Sequence, residues 1–333
     1  MRFYRAVVAM VAGLALVAAG CGSDDAADEA NGTDLPTVVV TTNILGDVVE
    51  NLSGGTVDVV TIMPVGADPH DFQASAQQVA QIGEADVLIV NGGEFEEGLL
   101  DVIEGAESDG VPVFEALSAV GTIEFGEGGH DHSDEEHSDE EHSAEEHSDE
   151  EHDHSGADPH FFTDPARMAL AADAIAEFLV ANVDGVDADA LRASAATYVA
   201  ELEALDADVA AILDALNDEQ KVLVTNHEVF GYFADRYGFE VVGTVIPSGT
   251  TADGASAQDL AALADLIEAE GVAAIFADTS SSDELTQTLA SEVGEVAVVE
   301  LFSESLGDAD SDGATYLAMV RANAERISGA LAG

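Results

Sequence analysis

The chain carries almost no positive charge. Lysine and arginine together number 8, with Lys221 the only lysine, against 68 acids, for a formal net charge of −60. A surface of that sign releases no counterions from nucleic acid or anionic lipid, which excludes both as electrostatic partners. It attracts cations, or it is a solvated acidic surface suited to a salty medium. Cysteine is nearly absent too: Cys21 stands alone, so no intrachain disulfide can form. Histidine is scarce outside one run, which holds seven of the ten. Gly and Pro are missing from 187–216, and apolar residues are almost missing from 126–156. What remains is ordinary. Nearly half of the 333 residues are apolar, enough for two domains with a sizeable core.

The first residues read as an export signal. Arg2 and Arg5 precede an apolar stretch over 6–19, and small residues lead into Cys21. The apolar run is shorter than the ~20 residues of a spanning helix. A lone cysteine after a small-residue cleavage site resembles a bacterial lipobox, although Ala18 stands where leucine is commonest. The expectation is a signal peptide over 1–20, a lipid on Cys21 and a flexible tether over 21–35. The protein is then anchored to the outer face of the cell membrane.

Short β-branched runs at 37–42, 57–62 and 86–90 alternate with helical patterns at 43–53, 73–84 and 94–105. The scheme repeats, with strands at 221–225, 240–246, 272–277 and 296–301 and helices at 227–237, 256–270, 282–293 and 313–330. Alternation of this kind predicts parallel sheets covered by helices. Between the halves, 187–216 keeps a helical apolar spacing and reaches about 40 Å at ~1.5 Å per residue. It is either a stiff connector or a surface helix of one domain; the pattern allows both. The expected fold class is α/β. Two lobes, 36–186 and 217–333, each hold a mostly parallel sheet flanked by helices, with the long helix as linker. Within the first lobe, 126–157 cannot bury enough apolar surface to offset the entropy of ordering, so it is expected to be a disordered loop.

That loop carries His130, His132, His137, His142, His147, His152 and His154 among acids. Its five-residue period matches neither a helix nor a strand face. The other three histidines sit where a strand or loop gives way to a helix: His70 in "MPVGADPHDF", His160 in "GADPHFFTDP" and His227 in "VLVTNHEVFGYF". Ligands of α/β sheets collect outside the carboxyl ends of strands. "ADPH" occurs twice, and its Asp68 or Asp158 can accept a hydrogen bond from the imidazole and set its tautomer. One decoy is set aside. "DADSDG" at 308–313 resembles the start of an EF-hand loop, but its twelfth position is Met319, not the glutamate calcium needs. Asp312 is read instead as the cap of the last helix.

With these motifs, residues 36–331 resemble the cluster A-I solute-binding proteins of ABC transporters for zinc and manganese. "VGADPHDF", "DPHFFTDP", "TNHEVFGYFADRYGF" and "LFSESLGDADSDG" are similar to the four segments holding that family's ligands. An acidic His-rich loop directly before the second motif is a feature of many members of the zinc-uptake type. The resemblance implies His70, His160, His227 and Glu304 as metal ligands. Glu304 stands where the family usually has Asp, which leaves Asp278 open as the alternative fourth ligand or a supporting group. Three imidazoles and a carboxylate suit Zn²⁺, and manganese relatives usually have a carboxylate at the third position. The implied function is capture of Zn²⁺ outside the membrane and delivery to an ABC permease, by a monomer that is not an enzyme. A Mn²⁺ receptor, an adhesin or metal buffer, and a zinc hydrolase are the alternatives. The loop histidines are expected to bind further ions weakly.

Overall fold

The computed structural model describes residues 35–125, 156–294 and 296–333. The expected export signal, Cys21 and the seven histidines of the acidic run lie outside the described residues. Among the described residues no helix is long and apolar enough to cross a membrane.

Two four-stranded parallel sheets with flanking helices make up the fold. The first contains β1 (Thr37–Val40), β2 (Asp58–Thr61), β3 (Val87–Val90) and β4 (Val113–Glu115), in the order β2-β1-β3-β4. Around it lie α1 (Asn43–Ser53), α2 (Ala76–Gly83), α3 (Leu100–Ser108) and α4 (Pro165–Asn182). The long α5 (Ala188–Leu213) follows. The second sheet repeats the order as β6-β5-β7-β8, from β5 (Val222–Thr225), β6 (Glu240–Thr244), β7 (Ala274–Asp278) and β8 (Ala297–Leu301). Its helices are α6 (Gly231–Tyr237), α7 (Ala257–Glu270), α8 (Glu284–Val293) and α9 (Tyr316–Leu331).

Local chemistry sets the helix ends. The Thr42 hydroxyl accepts from the Leu45 amide to start α1, and Gly54, in the left-handed region, stops it. Ser75 and Ser256 form capping boxes with Gln78 and Asp259. Asp164 accepts from the Ala166 and Arg167 amides ahead of Pro165, which starts α4.

Helix α5 buries Leu191, Ala195, Tyr198, Leu202, Leu205, Val209 and Leu213 along one stripe. That stripe packs on α1 and α4 of the first lobe and on α9 of the second. One apolar core therefore runs through both lobes, from Val38 and Leu45 to Phe276 and Ile327. Smaller cores cover the outer face of each sheet, around Leu88 and around Ile275.

Some elements differ from expectation. Helix α3 begins at Leu100 rather than near residue 94, because Gly92, Gly93 and Glu94 are left-handed and no helix passes through them. Helix α6 begins at Gly231, since His227 to Phe230 form a turn. Strand β4 and helix α4 had no counterpart in the periodicity. The cap of α9 is Thr315, not Asp312; Asp312 lies on the surface paired with Arg326.

Candidate metal centre

The carboxyl ends of both sheets face the same region. His70 lies in the turn after β2, held by its backbone amide donating to Asp68 Oδ1 at 3.0 Å. His160 stands one turn before α4. Its amide and its Nδ1 both meet Asp158 Oδ1, at 2.9 and 2.7 Å. His227 follows β5 in a turn fixed by the Thr225 hydroxyl donating to the His227 carbonyl at 2.7 Å. Glu304 follows β8. On one side of it Asn323 clamps both backbone groups of Phe302, at 3.0 and 2.8 Å. On the other, Asn43 reaches across from the first lobe to the Ser305 hydroxyl and the Leu306 amide, at 3.0 and 2.7 Å.

These four side chains converge. One donor atom from each of His70, His160, His227 and Glu304 lies within 4.8 Å of all the others. The three Nε2 atoms surround Glu304 Oε1 at 2.7, 3.5 and 3.0 Å. All four residues are buried. Four donors at ~2.0–2.1 Å from a tetrahedral ion stand roughly 3.3 Å apart; the three nitrogens bracket that spacing around Glu304 Oε1, and with all four donors within 4.8 Å of one another, side-chain adjustments on the order of 1 Å bring them to it. Glu304 Oε2 and His160 Nε2 are buried without a hydrogen-bond partner, a cost that a cation bound between them would offset.

Burial alone would depress the His70 pKa. The Glu304 charge and the bonds to Glu304 and Glu97 outweigh it and raise the value to about 10. His160 behaves alike: burial opposes, but Asp158 and then Glu304 raise its pKa. Glu304 is the mirror case. Burial would push it up, and His227, His70 and the bond from His160 hold it well below the usual carboxylate range. The cluster is a carboxylate ringed by imidazoles, in which a cation competes with protons.

A cavity of about 550 Å³ opens beside the cluster, lined among others by His70, Glu97, Phe125 and Asp253. Of the four clustered residues, His70 alone lines it. A cation entering by this route meets acidic walls first.

A family model described as "Zinc-uptake complex component A periplasmic" matches residues 38–330. The chain belongs to this ZnuA family. It is 31% identical over 324 residues to the "Zinc-binding protein TroA" of Treponema pallidum, covering 93% of this chain and 92% of that one. It is 26% identical over 312 residues to the "Manganese-binding lipoprotein MntA" of Halalkalibacterium halodurans, covering 94% and 93%. The solved structure of the Treponema protein superposes with a TM-score of 0.75 at 29% identity, over 89% of this chain and 99% of that chain. Both relatives are named for a bound metal, zinc in one and manganese in the other.

Within this ZnuA-family chain the remaining candidates sit as follows. Asp278 is buried at the end of β7, with its oxygens taken by the Ser280 amide and hydroxyl at 3.0 and 2.6 Å. Burial, and then the Glu304 charge, raise its pKa. It stands outside the group of converging donors. Asp158 meets the His160 ring, but Asp68 does not meet the His70 ring. Asp68 takes the His70 amide and, across the cleft, the Thr251 hydroxyl at 2.6 Å. Glu97 takes the ring Nδ1 instead, at 3.1 Å, because the turn after β3 brings it there. Sequence reasoning also missed Asn43, Asn323 and Phe95, whose ring stands edge-on to His70 and His160 at 5.2 and 5.4 Å. A clustered "NGGEFEEG" at a strand end was the available signal.

Proposed function

We propose that His70, His160, His227 and Glu304 hold Zn²⁺ as cargo, and that the protein is an extracytoplasmic receptor that hands the ion to an ABC permease. The convergence of three imidazole nitrogens and one carboxylate oxygen, all buried, carries this reading. Three borderline nitrogen donors favour Zn²⁺ over the oxygen-rich surroundings that suit Mn²⁺. Four protein donors fill a tetrahedral shell and leave no position for the water a zinc hydrolase activates. The donors come from both lobes, so binding ties the lobes together. The shared core along α5 limits how far they swing apart. Cys21 is the expected lipid anchor, and the seven histidines of the acidic run are accessory, low-affinity donors.

Calorimetry of the purified protein with Zn²⁺ and Mn²⁺ in competition tests the site. One tight zinc, lost in both His160→Ala and His227→Ala, is the expected result. Zinc uptake by vesicles holding the partner permease, dependent on added protein, tests delivery. A tight site that survives both substitutions would sink the assignment.

A further inference from the structure

Glu96 is buried to 1% exposure and is not one of the four converging residues. Its Oε1 accepts from the Thr41 hydroxyl at the end of β1 and from the Asn91 amide at the end of β3, both at 2.6 Å. Its Oε2 faces the Gly92 amide at 3.4 Å. One carboxylate thus ties the ends of two neighbouring strands to the turn 91–97. That turn is unusual. Gly92, Gly93 and Glu94 are successively left-handed, and Glu94 is the only non-glycine with positive φ among the described residues. Such a conformation persists where its surroundings over-determine it.

Each arm of the turn ends on a histidine of the cluster. Phe95 packs edge-on to both His70 and His160. Glu97 holds His70 Nδ1 at 3.1 Å. Asn91 Nδ2 donates to the Pro159 carbonyl at 2.9 Å, the peptide that leads into His160. A Cβ on Gly98 would collide with the Phe72 carbonyl, so glycine lets the turn lie directly against the His70 segment. The sequence carries the ingredients in one short run, "NGGEFEEG".

We propose that Glu96 is a positioning residue that sets His70 and His160 in the geometry for the cation by clamping the 91–97 turn. This rests on the reading of the four-residue cluster as the metal site. Groups that orient ligands typically cost about 10- to 100-fold in metal affinity when lost. Glu96→Leu keeps the volume and removes the acceptors. Glu96→Gln keeps one oxygen where Thr41 and Asn91 converge.

The test uses the full chain loaded with Zn²⁺ or, as a spectroscopic probe, Co²⁺. Affinity comes from competition with a chelator, site symmetry from the Co²⁺ d–d absorption, and fold integrity from circular dichroism and the metal-free melting temperature. The expected result is a zinc affinity about 10- to 100-fold lower in Glu96→Leu, with an altered Co²⁺ spectrum, and recovery of both towards wild type in Glu96→Gln. A Glu96→Leu protein that melts earlier yet keeps wild-type affinity and spectrum would show that Glu96 only supports the fold, and would overturn the proposal. If Glu96→Leu fails to fold, Thr41→Val and Asn91→Ala decide, the first cutting Glu96 from the end of β1 and the second cutting the clamped turn from the Pro159 carbonyl ahead of His160; wild-type affinity and spectrum in both overturns it. A wild-type protein without a zinc site would instead refute the metal-site reading itself.

Discussion

Replacing Glu304 with alanine removes the one anionic donor of the cluster and the common acceptor of three imidazoles. Apparent binding free energies of about 10–16 kcal/mol for four-donor zinc sites come to about 2.5–4 kcal/mol per donor at pH 7. At about 1.4 kcal/mol per tenfold, Glu304→Ala should weaken zinc binding by about 100- to 1,000-fold. The loss should also depend on pH. Glu304 keeps His70 protonated up to about pH 10, and zinc must displace that proton. Between pH 7 and 8.5 the wild-type protein therefore gains about 30-fold in affinity as the competition eases. Without Glu304, burial pulls the His70 pKa down against Glu97 and Asp68 alone, and this gain shrinks. The deficit of the variant thus widens with pH. Asp278→Ala, whose oxygens are held by Ser280, should cost about 10-fold at most. Titration against a chromophoric chelator at the two pH values measures both. A larger loss in Asp278→Ala, or a Glu304→Ala deficit that does not grow with pH, would refute the reasoning.

Other outcomes can be checked alongside. His227→Glu replaces a nitrogen by a hard oxygen, and competition binding should move from Zn²⁺ towards Mn²⁺; an unmoved preference means that His227 does not control the choice. Deleting residues 130–154 should leave one tight zinc by calorimetry and abolish the weak sites, because Glu124 and Ala157 already pair across the ends of that segment and the four converging residues lie outside it. The metal-free protein should lose stability with rising pH. His70 is raised from 6.5 to about 10, so its pairing with Glu304 contributes fully below about pH 6.5 and is lost as pH climbs through about 10. Thermal melts across that range show the fall. On the acid side, Glu304 is depressed, so its contribution is present above 4.5 and lost as pH drops through its lowered pKa. Melts that rise from pH 7 to 10 in the metal-free protein would contradict the His70–Glu304 pairing.

The sequence alone determined the alternation of strands and helices, because period and turn chemistry are local properties. It also set His70, His160 and His227 apart, since each lies where a strand or loop gives way to a helix in a short motif with distinctive neighbours; Glu304 was marked only by the resemblance of "LFSES" to a family segment, with Asp278 left open beside it. Helix α4 was legible in hindsight from Asp164 and Pro165, which form a start signal; the all-round apolar run behind them obscured its face. Strand β4, three residues long, is too short for any period to show. Only the tertiary structure decided which carboxylate meets which imidazole. Asp68 and Asp158 occupy the same place in the same motif, yet one reaches across the cleft to Thr251 and the other holds His160. The difference arises from Glu97, delivered by a left-handed turn on another strand. Likewise Asn43 and Ser305 are 262 positions apart and share a hydrogen bond. Nothing local in either residue encodes that partner. It is set by two sheets whose strand ends face each other, around a core that both lobes share.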